Sequence, residues 1–184
     1  MDKDNYLVEA ECVKLCNAFC FHLDRRNYRA LADLFTPEGA WIRHGIPLAG
    51  RSAIIAALEE RPADLFTRHV IAGHHFTHIS EDRAASTAYN ISYYSRNGGI
   101  LPALLVPDDA IHLDFSDSYE RTAAGWRFAE RNSVEVFLST AAKARVVTLR
   151  EKHADPAGSR RGRSPHGRQP EGGHDERLEI RTSL

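Results

Sequence analysis

Residues 23–41 read LDRRNYRALADLFTPEGAW, and this stretch decides how the fold is interpreted. The polar run at 24–27 ends a preceding helix, and the apolar spacing at 28–35 indicates a short second helix. Residues 36–39 (TPEG) are typical of a turn, and residues 40–43 then predict a strand. The preceding helix is predicted over residues 5–24, because apolar side chains recur there at helical spacing. They are Val8, Cys12, Leu15, Phe19 and Leu23.

The rest of the chain changes from helical patterns to strand patterns. Residues 53–60 predict a third helix, which Ser52 would cap and Pro62 would end. Four later stretches are rich in β-branched and aromatic residues and form two hairpin-like pairs; they are residues 69–79, 84–95, 111–121 and 126–137. Residues 141–150 predict a final short helix. Because the helices come first and the antiparallel hairpins follow, the sequence indicates an α+β domain.

Composition divides the chain of 184 residues into two parts. Residues 1–150 have enough apolar content for one compact domain. Residues 151–184 are rich in Gly, Pro, Arg and Glu and almost free of large apolar residues, so burial would not offset their ordering entropy. We therefore expect a folded domain over residues 1–150 and a disordered polar tail over residues 151–184.

Charge and hydropathy argue against several classes of protein. The formal net charge of −1 at pH 7 disfavours a nucleic-acid-binding protein. No apolar run approaches the roughly 18 residues of a membrane span, and the polar N-terminus lacks the apolar core of a signal peptide. The sequence therefore predicts a soluble cytoplasmic protein with no membrane partner.

The three cysteines, Cys12, Cys16 and Cys20, recur every four residues on one face of the first predicted helix. That spacing keeps their Cβ atoms about 5–6 Å apart, wider than the roughly 3.5–4.5 Å of a disulfide. A metal or redox cluster is one interpretation. We favour the other, in which three small side chains pack in the core, and we predict no metal site.

The stretch at 23–41 resembles the opening of SnoaL-like domains, which belong to the nuclear transport factor 2 superfamily. Three further fragments agree in the expected order; they are residues 49–54 (AGRSAI), 67–69 (TRH) and 125–131 (GWRFAER). The resemblance covers residues 5–140. It implies a cone, in which a strongly curved antiparallel sheet wraps around three N-terminal helices and encloses a deep apolar cavity. Since this fold carries many functions, the resemblance does not by itself specify an activity.

The resemblance also implies catalytic residues. Dehydratases of the family use an acid at the end of the first helix, matched here by Asp24, and a histidine in an Arg-His pair, matched by His69. A neutral imidazole held by a carboxylate is a serviceable general base near neutral pH. The same dehydratases place a tyrosine one helical turn before the acid, where this chain has Phe19, which cannot donate a proton. That departure favours a binding role over a dehydratase.

Five further residues are expected to line the cavity and contact a substrate. The predicted substrate-binding residues are Trp41, His75, Asn90, Tyr94 and Arg131. With the two-residue period of a strand, His75 shares a face with His69, and Asn90 shares a face with Tyr94. Arg131 matches an arginine that some dehydratases of the family keep.

Two functions stay open at this point. In the first, the protein binds a small apolar or aromatic molecule and catalyses a cofactor-free dehydration, isomerisation or cyclisation by general acid–base chemistry. His69 removes the proton, Asp24 orients and charge-balances it, and Arg131 or a tyrosine stabilises the oxyanion. In the second, the protein is a non-catalytic ligand-binding or subunit-stabilising module, like the small subunits of aromatic-ring-hydroxylating dioxygenases. Relatives cover their sheet with a second subunit, so we expect a homodimer or homotrimer.

Overall fold

The computed structural model describes residues 3–96, 100–103 and 110–154. The helices in this part of the chain are α1 (Lys3–Asp24), α2 (Tyr28–Ala32), α3 (Arg51–Glu59) and α4 (Thr140–Ala154). The strands are β1 (Phe35–Arg43), β2 (Ile46–Ala49), β3 (Leu65–Ile79), β4 (Arg83–Arg96), β5 (Ile111–Thr122) and β6 (Gly125–Leu138). Helix α4 continues past residue 150, and the rest of the predicted tail lies outside the described residues.

The six strands form one sheet in the order β2-β1-β6-β5-β4-β3. The predicted α+β fold, with a curved sheet packed around the N-terminal helices, is confirmed. Neighbouring strands run antiparallel, except that β1 and β6 run parallel. The sheet is therefore mixed rather than purely antiparallel. Strand β1, which follows the first two helices in the chain, lies between β2 and β6. None of the helices in the described ranges is long and apolar enough to span a membrane.

The core lies between the inner face of the sheet and one side of α1. The buried residues of this helix recur every three or four positions; they are Cys12, Cys16, Phe19, Cys20 and Leu23. All three cysteines are free and buried, so the prediction that they pack in the core is confirmed. Phe19 contacts Trp41 edge to face, with ring centroids 5.0 Å apart. This aromatic contact joins α1 to β1, the strand that begins the sheet.

Two local predictions in the first half of the chain are wrong. Residues 36–39 belong to β1, which advances from Phe35 to Ala40 while its partner β6 advances only from Phe128 to Glu130. The turn-forming residues are thus accommodated as an irregularity inside a strand. The N-cap of α3 is Gly50, not Ser52, and no side chain caps this helix.

Strand β3 contains a bulge that changes which side chains face the core. Ala72 pairs with Tyr89, but His75 pairs with Thr87, so one residue is inserted between them. Gly73 lies in the bulge with a φ of +64°. A Cβ atom at Gly73 would lie 2.8 Å from the ring of Tyr89. The bulge therefore favours glycine, and it inverts the facing of the residues that follow it as far as Phe76, where a second irregularity between Phe76 and His78 restores the original alternation.

Candidate active site

A histidine–carboxylate pair joins the end of α1 to the beginning of β3. The Nδ1 atom of His69 lies 2.6 Å from Oδ1 of Asp24, and each side chain is only 7% exposed. Because a carboxylate accepts this hydrogen bond, Nδ1 carries the proton and Nε2 is left as the acceptor on the far side of the ring. Nε2 has no hydrogen-bond partner within the described part of the chain. The predicted pairing of Asp24 with His69 is thus the geometry that the structure adopts.

Neighbouring groups fix the orientation of Asp24. The backbone N–H of His69 donates to Oδ2 of Asp24 at 3.0 Å, and Oγ1 of Thr67 donates to Oδ1 at 2.8 Å. Arg61 donates in turn to Oγ1 of Thr67 at 3.0 Å and to the carbonyl of Leu23, in the last turn of α1, at 2.8 Å. Arg61 therefore holds the helix end and the strand start together, so the pair is rigidly placed.

Burial and hydrogen bonding act in opposite directions on the pKa of Asp24. Burial alone would raise the pKa, but the hydrogen bonds and charge of His69, together with the hydrogen bond of Thr67, outweigh burial and lower it. Asp24 is therefore ionised at neutral pH. A fixed carboxylate behind the ring favours the imidazolium that forms when Nε2 accepts a proton.

His69 of this pair lines a cavity whose inner and outer parts share five lining residues. The inner cavity has a volume of about 40 Å³ and is lined by His69 together with Phe19, Trp41 and Phe115. The outer cavity has a volume of about 440 Å³ and lies between α3, the β1–β2 hairpin and α4. The residues that line both parts are Arg43, His44, Arg61, Leu65 and Tyr94. A ligand in the outer cavity can therefore extend its reacting end towards His69.

A second histidine–carboxylate pair lies on the wall of the same cavity. The Nδ1 atom of His44 lies 2.6 Å from Oε1 of Glu135. Burial and the neighbouring Arg43 cation lower the pKa of His44, whereas the hydrogen bond of Glu135 acts in the opposite direction. Arg150 of α4 donates to the backbone carbonyl of His44 at 2.8 Å and to Glu135 at 3.1 Å. These two hydrogen bonds of Arg150 hold helix α4 over the outer cavity.

The other predicted substrate-binding residues on the first and fourth strands are placed as follows. Trp41 lines the inner cavity, and its Nε1 donates to Oγ of Ser133 at 2.9 Å. Tyr94 lines both parts of the cavity, and burial raises its pKa, which keeps the phenol protonated. Asn90 faces inward as predicted but accepts a 2.6 Å hydrogen bond from Ser92 and is not among the residues that line either part.

The predicted shared face of His69 and His75 is wrong. The bulge at Gly73 inverts the alternation, so His75 is exposed on the outer face of the sheet. His74 turns inward instead, where burial and the nearby Arg131 cation lower its pKa. The inserted residue is the physical reason, because a one-residue shift moves the side chains that follow it to the opposite face, here as far as the second irregularity after Phe76.

Arg131 is buried in the core and does not line the cavity. Its Nε and Nη2 atoms donate to the two oxygens of Asp117 at 2.8 Å and 2.7 Å, and Nη2 also donates to Sγ of Cys16 at 3.1 Å. The guanidinium stacks on Phe19, Phe115 and Phe128 at 4.2–4.4 Å. Its side chain is 0% exposed; Nη1 has no hydrogen-bond partner within the described residues, but Arg131 lines neither part of the cavity and supports the aromatic wall.

The helical cysteines offer no reactive thiolate. Burial raises the pKa of Cys12 and Cys20 to about 12 and that of Cys16 to about 11. Within the described residues, no group of three or more His, Cys, Asp or Glu side chains is arranged to hold a metal ion.

Sequence reasoning missed four residues of this site, Arg43, His44, Arg61 and Glu135. Arg43 and His44 lie in a short strand and turn that carry no local motif, and Glu135 is 91 positions from its partner His44. The one local signal is the left-handed backbone of His44, with a φ of +54°, which an amino-acid sequence does not reveal.

Comparisons with known proteins support the fold described above. A family model described as SnoaL-like domain matches residues 5–132. No curated protein sequence gives a significant match.

Several solved structures share the fold. A scytalone-dehydratase-like protein from Novosphingobium aromaticivorans superposes with a TM-score of 0.63 at 18% identity, covering 74% of this chain and 89% of that one. A hexachlorocyclohexane dehydrochlorinase, LinA type 2, gives 0.61 at 17% identity, with 74% and 90% covered. An aromatic-ring-hydroxylase-like protein from N. aromaticivorans gives 0.59 at 18% identity, with 70% and 88% covered. At such low identity these similarities establish the fold alone.

Proposed function

The chain belongs to the SnoaL-like domain family, and on that premise we propose that it binds a small apolar or aromatic molecule and catalyses a cofactor-free dehydration, isomerisation or cyclisation. The observation that carries the proposal is the 2.6 Å contact between Asp24 and His69, which lines the inner cavity. Two structures similar to this chain bear the names of eliminating enzymes, a dehydratase and a dehydrochlorinase. Those names are consistent with a reaction that begins by removing a proton.

In the proposed reaction, Nε2 of His69 takes a proton from the carbon next to a carbonyl group of the substrate. Asp24 balances the charge of the resulting imidazolium through the Nδ1 hydrogen bond. The phenol of Tyr94, which lines both parts of the cavity, donates a hydrogen bond to the developing oxyanion. The imidazolium then returns the proton, either to a departing hydroxyl group or to another carbon.

The test uses β-hydroxy ketones with one or two aromatic rings, whose dehydration produces an enone that absorbs in the near ultraviolet. We expect His69→Gln to lower kcat/KM by at least about a hundredfold, the lower range for loss of a general base, and Asp24→Asn to lower it by about tenfold or more. His75→Gln is the matched control, because it makes the same change on the exposed face of the same strand. Turnover by His69→Gln within twofold of the unmodified protein would overturn the proposal.

A second candidate function is a non-catalytic ligand-binding or subunit-stabilising module. Phe19 favours it, because this residue lines the inner cavity where a dehydratase would need a proton donor. The small volume beside His69, about 40 Å³, favours it as well. In that case His69→Gln and Asp24→Asn leave ligand affinity unchanged, whereas Leu65→Trp, which fills the junction of the two parts of the cavity, abolishes binding.

We also propose that the chain forms a homodimer or homotrimer through the outer face of its sheet. Large apolar side chains are exposed on three strands of that face; they are Val70, Tyr89, Val134 and Phe137. Sedimentation velocity at micromolar concentration should reveal the oligomer, and Phe137→Asp should dissociate it. Tyr6→Asp is the control, since Tyr6 is equally exposed but lies on α1. A monomeric unmodified protein would refute this assembly.

A further inference from the structure

The cavity contains an arginine with no partner for its charge. Arg43 is the last residue of β1 and lines both parts of the cavity. No hydrogen bond or ion pair within the described residues engages its guanidinium, which lies 5.6 Å from the ring of Trp41. It is surrounded by protein, yet it keeps accessible surface, because it faces the empty space of the cavity.

Its surroundings make that charge unfavourable as it stands. Burial, together with the neighbouring Arg61 cation, lowers the pKa of Arg43, although Tyr94 and Tyr28 act in the opposite sense. Arg61 also lacks a carboxylate partner within the described residues. Its guanidinium donates instead to a backbone carbonyl and to Thr67. A buried charge without a counter-charge costs free energy, so the unpaired guanidinium of Arg43, with the Arg61 cation beside it, marks a place where an anion would be stabilised.

The carboxylates near the cavity are already occupied. Asp24 is held by His69, and Glu135 is held by His44 and Arg150. At the rim, Glu60 pairs with Lys152. None of these carboxylates approaches the guanidinium of Arg43 as an ion-pair partner within the described residues, so its charge is available to a ligand in the cavity.

We propose that the ligand of this cavity carries a carboxylate group, which Arg43 binds, on an apolar or aromatic body. The planar guanidinium suits a two-oxygen anion that accepts two parallel hydrogen bonds. The body lies in the outer cavity against apolar side chains such as Ile46, Leu48 and Ile111. This inference rests on the proposed function only in placing the reacting end of the ligand at His69.

The probes are cinnamate and cinnamamide, which have the same shape and differ in charge. Isothermal titration calorimetry of the full chain at low ionic strength should give cinnamate an affinity at least about tenfold higher, the lower range for a hydrogen bond to a charged group. Arg43→Gln should reduce that preference to less than about twofold without weakening cinnamamide, and Arg43→Lys should keep part of it, because the charge remains.

Arg96→Gln is the matched control. Arg96 also lines the outer cavity, but it pairs with Asp64 at 3.1 Å and its side chain is 50% exposed. We expect this variant to keep the full preference. Equal affinity of the two probes for the unmodified protein, absence of cinnamate binding at millimolar concentration, or an undiminished preference in Arg43→Gln would each overturn the inference.

The binding measurement separates this inference from the catalytic proposal. His69→Gln should keep the preference for cinnamate, because Arg43 supplies it, while lowering kcat/KM by at least about a hundredfold. Turnover of neutral ketones with no preference for the acid would overturn the carboxylate site alone. A retained preference with no turnover would overturn the catalytic proposal alone.

Discussion

Replacing Asp117 by Asn should remove a large part of the stability of this protein. Asp117 accepts two hydrogen bonds from Arg131, at 2.8 Å and 2.7 Å, and a third from Tyr119 at 3.1 Å. Both side chains of the ion pair are 0% exposed. Asn has nearly the same volume, so the substitution opens no cavity but leaves the Arg131 guanidinium buried without a counter-charge.

The expected cost follows from that environment. Removing one partner of a fully buried ion pair costs about 3–5 kcal/mol, at least about a fifth of the roughly 5–15 kcal/mol that stabilises a typical domain. Urea unfolding followed by far-ultraviolet circular dichroism at pH 7 measures the loss. Glu120→Gln is the control, because its ion pair with Arg83 at 3.2 Å is exposed and should contribute less than about 1 kcal/mol.

A second variant distinguishes loss of the pair from loss of packing. Replacing both partners, as in Asp117→Leu with Arg131→Met, removes the two charges together and should recover most of the stability lost by Asp117→Asn. A loss below about 1 kcal/mol in Asp117→Asn would refute the assignment of Arg131 to the core. It would then restore the expectation that this arginine contacts a substrate.

Three further predictions concern acid, thiols and the tail. Because the folded pKa of Asp24 lies below its unfolded value, its stabilising contribution is complete above about pH 3.9 and is lost as the pH falls through the folded pKa. Asp24→Asn should therefore reduce the dependence of the unfolding free energy on pH in acid. Asp33→Asn changes an exposed side chain and should leave that dependence unchanged. The same slope of unfolding free energy against pH in both variants would contradict this prediction. The three buried cysteines should resist a thiol reagent at pH 8 in the folded protein and react fully in urea, because burial raises their pKa values; rapid labelling of the folded chain would disprove their burial. Trypsin should remove the residues beyond about 150 and leave a folded domain, and a protected tail would show that the predicted boundary is wrong.

The amino-acid sequence by itself determined the α+β fold and the Asp24–His69 pair. Helical spacing from Val8 to Leu23 predicted α1, and β-branched and aromatic stretches predicted the four long strands, because these periodicities are set by local backbone geometry. Asp24 and His69 could be named because each lies in a fragment that resembles the SnoaL-like family. Their contact then follows from two elements whose places in that fold are fixed.

Only the tertiary structure decided which other side chains face the cavity. The bulge at Gly73 turned His75 outward, since a single inserted residue inverts the two-residue period of a strand. Arg131 is buried in the core and does not line the cavity, because Asp117 supplies its counter-charge. Asp117 is 14 positions away and lies opposite Arg131 on the neighbouring strand. Arg43 lines both parts of the cavity because it ends β1, and no carboxylate within the described residues pairs with it. Partners of this kind depend on strand register and on distances through space, and neither is encoded in any one local stretch of sequence.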